Sequence, residues 1–229
     1  MEDEINRIKD VYKDRSISPK IDYNPILPQN TYFIISREKV LARLLNKYFD
    51  SDLSNIQLLD VGFGSGNDIL NLLRLGIDIK NVHGVEILPE RYNRVKDILV
   101  SADLKLINGF DLPYQNKTID LLMQSTVFSS ILDFSSRKLF ANEMYRVLKS
   151  GGKIFSYDIR FFNPWNKNVT KIDREELKKL FPKAKITFYP ITLNPILVRT
   201  IAPYSVLSCE LLEKLSFLCS HYYSVIEKI

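Results

Sequence analysis

The sequence has few of the residues that build disulfide frameworks and metal centres. Among 229 residues there are two cysteines, Cys209 and Cys219, and two histidines. The cysteines are ten residues apart, without further Cys or His at the spacing of metal ligands, so neither a disulfide scaffold nor a zinc site is predicted. No cluster of carboxylates indicates another metal. We expect two reduced packing cysteines and no metal site.

Long basic runs and long uninterrupted apolar runs are also missing. The net charge of +5 and the pI near 9.0 arise from dispersed Lys and Arg, so no nucleic-acid partner is predicted. The longest weakly charged stretch, 186–207, is interrupted by Pro190, Pro195 and Pro203, which argues against a membrane span. Residues 1–10 are charged, without an apolar run after a basic segment, so we expect no secretory signal and a cytoplasmic location.

What the chain does contain is an alternation of short apolar runs with amphipathic segments, in a composition that is 45% hydrophobic and 26% charged. Strands are predicted at 56–61, 81–87, 104–107, 119–123, 153–158, 184–189 and 222–228. Helices are predicted at 36–49, 67–75, from Pro89 onward, and at 136–149, 173–181 and 203–219. Strands alternating with helices favour right-handed βαβ units, and therefore a doubly wound α/β sheet.

The chain divides into a lead-in and one large domain. Residues 1–35 are predicted to be an N-terminal lead-in or lid, and residues 36–229 the main domain, with insertions around 160–172 and 190–206. The last predicted helix carries apolar residues that we expect to face inward: Val206, Leu207, Leu211, Leu215 and Leu218.

A glycine-rich segment after the first strand carries the strongest chemical signal. It reads Asp60-Val61-Gly62-Phe63-Gly64-Ser65-Gly66, and glycines there allow a tight turn and a close approach of backbone to a ligand. The spacing departs from the dinucleotide pattern G-x-G-x-x-G, because Asn67 stands where that pattern has its third glycine. Asp60 would repel a pyrophosphate and suits a ligand with an ammonium group.

Glu86 ends the second predicted strand, close to the distance from the loop at which an acid accepts ribose hydroxyls. Ile87 beside it offers an apolar face to a purine. The loop and Glu86 together predict a nucleoside ligand with both ribose hydroxyls free.

These motifs, in this order, resemble the class I S-adenosylmethionine-dependent methyltransferases of the small-molecule type, over about residues 36–160. Asn108 to Tyr114 resembles the adenine-binding segment, Thr118 to Phe128 the fourth strand and its mouth, and Glu143 to Gly152 the helix and Gly-Gly turn before the fifth strand. The resemblance implies a Rossmann-like, mostly parallel seven-stranded sheet with helices on both faces and an antiparallel last strand.

The resemblance also implies a cofactor, S-adenosylmethionine, and a product, S-adenosylhomocysteine. The cofactor-binding residues that it implies are Asp60, Gly62, Phe63, Gly64, Gly66, Glu86, Ile87, Asn108, Gly109 and Gln124. Asn108 stands where the family has an acid, and its carbonyl can still accept from an adenine amine.

The reaction implied is displacement at a sulfonium methyl by an acceptor nucleophile, for which positioning supplies much of the acceleration. Asp158, at the end of the fifth strand, is the candidate general base, with a cap or turn role as the alternative. The candidate acceptor-binding residues are Tyr23, Tyr32, Ser125, Phe128, Arg160 and Trp165. The expected acceptor is a small molecule, in particular a sugar or a lipid-linked glycan precursor.

Two alternatives stay open at this point: a nicotinamide-dependent oxidoreductase, and a cofactor-binding module that works by interaction without catalysis. The first is disfavoured by the broken glycine pattern. Residues 191–223 are either a third layer of the core or a surface that contacts a membrane. The sequence does not indicate an oligomeric state.

Overall fold

The computed structural model describes residues 2–17, 22, 24–50, 52–162, 164 and 166–229. Its helices are α1 (Glu2–Ile17), α2 (Pro28–Tyr48), α3 (Asn67–Arg74), α4 (Pro89–Lys96), α5 (Val127–Ser130), α6 (Phe134–Val147), α7 (Arg174–Leu180), α8 (Pro195–Ile201) and α9 (Val206–Glu213). Its strands are β1 (Leu58–Val61), β2 (Val82–Glu86), β3 (Asp103–Leu106), β4 (Ile119–Ser125), β5 (Leu148–Ile159), β6 (Ala184–Leu193) and β7 (Cys219–Lys228).

The seven strands form one sheet in the order β3-β2-β1-β4-β5-β7-β6. Strands β1 to β5 pair in parallel, whereas β7 runs antiparallel to both of its neighbours, β5 and β6. The predicted fold class, with its antiparallel last strand, is therefore confirmed.

Strand β1 lies at the centre of the sheet, and all four of its residues are buried. It is paired on one side with β2 and on the other with β4, so its backbone polar groups are satisfied within the sheet. Helices cover both faces, which explains why Leu58, Leu59 and Val61 of β1 are all apolar. The chain order reverses at β1, and the carboxyl ends of β1, β2 and β4 therefore flank the place where such sheets bind ligands.

Helix α1 lies over that edge of the sheet. Its Ile5 and Ile8 are each 5% exposed and join the core cluster that contains Val61 and Phe128. Arg7 donates to the carbonyl of Ser130, and the Glu4 carboxylate accepts from the Leu132 backbone N–H. The lead-in is thus fixed to the segment after β4 by an apolar face and by polar contacts.

Two expected helix boundaries are wrong. Helix α2 begins at Pro28 instead of Ser36 and so crosses the expected division at residues 35 and 36. A proline at the first helical position has no N–H to leave unpaired, which makes Pro28 a favourable start. The helix expected at 203–219 is shorter, because α9 spans Val206–Glu213 and only a 3-10 turn at Ser216–Leu218 follows it, and α8 at Pro195–Ile201 was not predicted.

The expected inward face of the last helix is also wrong in part. Leu207, Leu211 and Leu215 are exposed, whereas Cys209 is buried and packs with Val198 and Leu193. The tail therefore forms a small core layer and also presents an apolar outer surface. In the part of the chain that the structure describes, no helix has the length and hydropathy needed to cross a bilayer.

Candidate functional site

A cavity of about 490 Å³ opens at the carboxyl ends of β1, β2 and β4, beneath α1. Predicted cofactor residues in its lining are Asp60, Gly62, Phe63, Gly64, Glu86, Ile87 and Gly109. The structure therefore brings most of the predicted nucleoside site together around one space.

The glycine loop takes a backbone shape that other residues rarely adopt. Gly62, Gly64 and Gly66 all have positive φ angles, of 69°, 56° and 76°. At Gly62 a Cβ atom would also lie only 2.8 Å from the Cγ2 atom of Val127 on α5. The loop consequently stays close to α5, with its backbone facing the cavity.

Glu86 organises the loop from the end of the neighbouring strand. Its Oε2 accepts from the Gly64 backbone N–H at 2.9 Å, and its Oε1 accepts from the backbone N–H groups of Ile87 and Leu88 at 2.8 and 3.0 Å. Only 3% of Glu86 is exposed. A carboxylate has about four lone-pair positions, so Glu86 keeps capacity for a ligand hydroxyl.

One end of the cavity holds two buried polar atoms that have no partner among the described residues. These are Oδ2 of Asp60 and Nε of Arg37. Arg37 projects from α2, and its Nη2 donates to the Asp68 carboxylate at 2.8 Å and to the Ser125 hydroxyl at 3.1 Å. An acceptor and a donor left open in one cavity fit a zwitterionic amino-acid group, whose ammonium would pair with Asp60 and whose carboxylate would pair with Arg37.

The charge state of this end follows from its neighbours. Burial, together with the negative charges of Asp68 and Glu86, raises the pKa of Asp60 well above its usual value. Burial opposes the charge of Arg37, but the Asp68 carboxylate outweighs it and raises the pKa of Arg37. The nearby charge of Arg37 offsets this rise in the pKa of Asp60 only in part, and an ammonium group would supply the remaining neutralisation.

The other end of the cavity is apolar. Ile87, Ile107, Phe110 and Phe140 line it, and the rings of Phe110 and Phe140 lie 5.4 Å apart between centroids. Ile5 and Ile8 of α1 close it from above. A slot of this kind, next to Glu86, fits a purine base.

Several predicted residues lie outside the cavity lining. Asn108 is exposed, and its Oδ1 accepts from Lys9 of α1 at 2.5 Å. Gly66 is buried at the start of α3. Gln124 is buried, donates to Ser156 and Asp158, and accepts from the Val127 backbone N–H at 2.9 Å. Gln124 therefore fixes the first turn of α5 from below.

Asp158 lies in the same buried network and not on the cavity wall. Its Oδ2 accepts from Gln124 at 2.5 Å and its Oδ1 from the Ser129 backbone N–H at 3.1 Å. Burial raises the pKa of Asp158 to about 6. A general base must reach the proton that it removes, directly or through one water, and this carboxylate does not face the cavity.

The predicted acceptor residues are dispersed. Ser125 lines the cavity, whereas Phe128 is fully buried against Phe181. Tyr32 is 0% exposed in the core of the tail, where its hydroxyl accepts from the Leu193 backbone N–H. Arg160 donates to the carbonyl of Ser216 and does not reach the cavity. The expectations for Tyr23 and Trp165 fall outside the described residues.

Helices also supply residues to the cavity that were not predicted from the sequence. Those of α1 are Ile5, Ile8, Tyr12 and Arg15, and Arg37, Asp68, Arg91 and Arg94 come from α2, α3 and α4. The spacing of Ile5, Ile8 and Tyr12 is a helical face and could have indicated α1. Nothing in the local sequence around Arg37 indicates that α2 turns it toward β1.

Comparison with known proteins agrees with this geometry. Residues 59–156 match the family model of the methyltransferase domain. Among curated proteins no relative matches the chain.

Solved structures share the fold at low identity. Geranyl diphosphate C-methyltransferase from Streptomyces coelicolor A3(2), in complex with Mg²⁺, geranyl diphosphate and S-adenosyl-L-homocysteine, is 14% identical, with a TM-score of 0.62 over 99% of this chain and 98% of that one. A possible histamine N-methyltransferase from Thermotoga maritima is 13% identical, with a TM-score of 0.61 over 99% and 100%. A methyltransferase from Archaeoglobus fulgidus is 16% identical, with a TM-score of 0.59 over 86% and 99%.

The matched segment begins in β1 and ends in β5, and so contains the glycine loop, Glu86 and the part of the cavity wall that α1 and α2 do not supply. The cavity itself fits the nucleoside and amino-acid ends of S-adenosylmethionine. Residues 59–156 are therefore similar to the methyltransferase domain, and the chain has the fold of S-adenosylmethionine-dependent methyltransferases.

Proposed function

We propose that this protein is an S-adenosylmethionine-dependent methyltransferase that acts on a small-molecule acceptor, namely a sugar or a lipid-linked glycan precursor, at the cytoplasmic face of a membrane. The pair of unpartnered atoms on Asp60 and Arg37, opposite an apolar slot beside Glu86, is the observation that carries the cofactor half of this proposal. The acceptor half is supported by the surface that surrounds the same edge of the sheet.

In the proposed cofactor site, Glu86 accepts from the ribose hydroxyls and Asp60 pairs with the amino group of the methionine moiety. Arg37 pairs with its carboxylate, and Ile87, Ile107 and Phe110 enclose the adenine. The glycine loop, from Gly62 to Gly66, supports the chain between the two ends. The bound cofactor supplies an electrophilic methyl group on a positively charged sulfur.

The residues after β4 are proposed to orient the reaction. Ser125, Thr126 and Val127 line the cavity where β4 ends. Thr126 has a φ of 59°, which is rare for a β-branched residue, and its backbone N–H donates to the Tyr157 carbonyl at 2.7 Å. This fixed turn would hold the methyl donor and the acceptor in a constant relative position. Such positioning accelerates a displacement reaction.

The proton of the acceptor has no histidine to receive it among the described lining residues. The general-base role predicted for Asp158 would require its carboxylate to move to the cavity, because it lies behind the Gln124 side chain and the Ser129 backbone N–H, and amide groups do not relay protons. Gln124 and Asn108 do not line the cavity, so they would support the cofactor only through the residues that they contact.

Membrane contact through 191–223 is supported by an outer apolar surface, which we define as Ile196, Tyr204, Leu207, Leu211, Leu215 and Phe217. It follows the end of β6, so it lies at the same edge of the sheet as the cavity. Exposed Arg199 and Lys214 and the net charge of +5 fit an anionic bilayer. The unpaired, buried Cys209 and Cys219 fit a reducing compartment.

The proposal is tested first by calorimetric titration with S-adenosylmethionine, S-adenosylhomocysteine, adenosine and NADH. We expect the first two to bind most tightly, adenosine more weakly, and NADH not at all. In Arg37→Gln, binding of S-adenosylhomocysteine should weaken while binding of adenosine, which has no amino-acid group, is unchanged. Arg43→Gln is the matched control, since Arg43 is exposed on the same helix and does not line the cavity.

Binding of NADH without the adenosyl ligands would favour the oxidoreductase instead. Binding of the adenosyl ligands without methyl transfer to any sugar or lipid-linked glycan would favour the non-catalytic module. If Arg37→Gln weakened the binding of adenosine and of S-adenosylhomocysteine by the same factor, the proposed orientation of the ligand would be overturned.

A further inference from the structure

Three arginines form the outer wall of the cavity, between α1 and α4. Arg15 comes from α1, and Arg91 and Arg94 come from α4. We call these three side chains the arginine rim. None of the three was predicted from the sequence as a site residue, and none takes part in the proposed cofactor contacts.

The rim begins where the apolar face of α1 ends. Ile5, Ile8, Tyr12 and Arg15 recur at the spacing of one helical face, and all four line the cavity. An apolar residue at position 15 would continue this face toward α4. An arginine there places a charge on the side of the helix that faces the ligand.

One tyrosine connects the rim to the end of β4. The guanidinium carbons of Arg91 and Arg15 lie 4.5 and 5.1 Å from the centroid of the Tyr12 ring. The Tyr12 hydroxyl lies 3.2 Å from the Ser130 hydroxyl, at the last residue of α5. The rim is therefore joined through one side chain to the segment that follows the proposed site of methyl transfer.

The rim also has no counter-charge. Within the described ranges, no carboxylate lies at ion-pair distance from Arg15, Arg91 or Arg94. Arg37, in contrast, is paired with Asp68 inside the same cavity. Like charges gathered at one opening repel one another, and a bound anion removes that repulsion.

We propose that the arginine rim binds a phosphate or diphosphate group of the methyl acceptor. Guanidinium groups recognise phosphate oxygens through paired hydrogen bonds, and two or three of them around one opening suit a group with several anionic oxygens. This inference rests on the proposed function, and it narrows the acceptor to a phosphorylated one. Asp60 and Glu86 line the same cavity, where the bound cofactor would cover them.

The test is titration of the protein, saturated with S-adenosylhomocysteine, with inorganic diphosphate. We expect Arg94→Gln to weaken diphosphate binding about tenfold, the scale of one lost hydrogen bond to a charged group. The double variant Arg15→Gln/Arg94→Gln should weaken it further, and added salt should reduce binding to the wild type. Arg43→Gln, which removes one exposed charge elsewhere, should leave it unchanged.

Two further probes distinguish the sources of the phosphate. Glucose 1-phosphate represents a free sugar phosphate, and phosphatidylcholine vesicles containing a polyprenyl phosphate represent a lipid-linked one. Competition with diphosphate by either probe supports the rim and identifies the source.

Equal diphosphate affinity in the double variant and in Arg43→Gln would overturn the inference. The inference would also be overturned if diphosphate changed the affinity for S-adenosylhomocysteine by the same factor in the wild type and in the double variant. Diphosphate would then act at a place other than the rim. Failure of the wild type to bind S-adenosylhomocysteine would instead refute the proposed function, so the two failures are distinguishable.

Discussion

The carboxylate of Glu86 accepts a hydrogen bond from the backbone N–H of Gly64, 2.9 Å away, across the gap between two adjacent strands. The glycine loop is thereby shaped by the same residue that is proposed to bind the ribose. Loop geometry and ligand affinity are consequently linked through one side chain.

Replacement of Glu86 should change both the stability of the glycine loop and the affinity for the ligand. In Glu86→Ala, we expect binding of S-adenosylhomocysteine to weaken by about 1.5 to 3 kcal/mol, because a charged acceptor is lost. The free energy of unfolding should fall by about 1 to 3 kcal/mol, because buried N–H groups lose their partner. Titration calorimetry and urea unfolding measure the two effects. Glu90→Ala, an exposed change on α4, is the control, and unchanged ligand affinity in Glu86→Ala contradicts the ribose assignment.

Binding of the cofactor product should release a proton from Asp60. The pKa of Asp60 is raised in the free protein, and an ammonium group beside it favours the ionised form. The affinity for S-adenosylhomocysteine should therefore increase as the pH rises through that raised pKa. Calorimetry in two buffers of different ionisation enthalpy counts the proton. We expect no such release in Asp60→Asn and normal release in Asp97→Asn; release that persists in Asp60→Asn would place the proton elsewhere.

Stability at acid pH should depend on His221. Its ring stacks on Tyr157 at 4.7 Å, and burial together with the nearby Arg37 lowers the pKa of His221 to about 3, from 6.5. The neutral ring therefore stabilises the fold above pH 6.5, and this contribution is lost as the pH falls toward 3.

In His221→Phe, which keeps a ring at that position, the unfolding free energy should fall less steeply with acid. The difference is up to about 1.4 kcal/mol per pH unit below pH 6.5. The pKa of Asp158 is raised to about 6, so its protonation favours the folded state as the pH falls, which is opposite to the effect of His221. Asp158 is present in both proteins, and its effect cancels in the comparison. His83→Phe removes the other histidine as a control. Identical acid slopes for wild type and His221→Phe would show that His221 does not titrate on unfolding.

Vesicle binding should depend on the outer apolar surface. Leu207→Ser/Leu211→Ser is expected to reduce co-sedimentation with phosphatidylglycerol vesicles, because both leucines are more than half exposed and face away from the tail core. Ile98→Ser is the control, since Ile98 is similarly exposed before β3 at the opposite edge of the sheet. Equal sedimentation of both variants with the wild type would exclude this surface as the membrane contact.

The sheet and the cofactor half of the site could be predicted because they depend on local patterns. Apolar runs ending in glycine or an acid marked β1 and β2, and the loop from Gly62 to Gly66 followed directly from its composition. The acceptor side could not be predicted in the same way. Tyr32 and Phe128 were predicted to bind the acceptor, and only tertiary packing shows that both are buried in the core.

Helix positions were the weakest predictions, for a physical reason. Pro28 reads as a loop residue or as the first residue of a helix, and only the packing of α2 decides between these. Arg37 and the arginine rim reach the cavity through the placement of whole helices. Such placement is set by contacts distant in sequence, which local spacing does not encode.

The position of α1 has a kinetic consequence. Ile5 and Ile8 line the cavity and belong to the core cluster, so a nucleoside bound in the apolar slot would be covered by this helix. Exchange of the spent cofactor by that route would require α1 to move away, and the hydrogen bond from Arg7 to the Ser130 carbonyl, which joins α1 to the end of α5, opposes that movement.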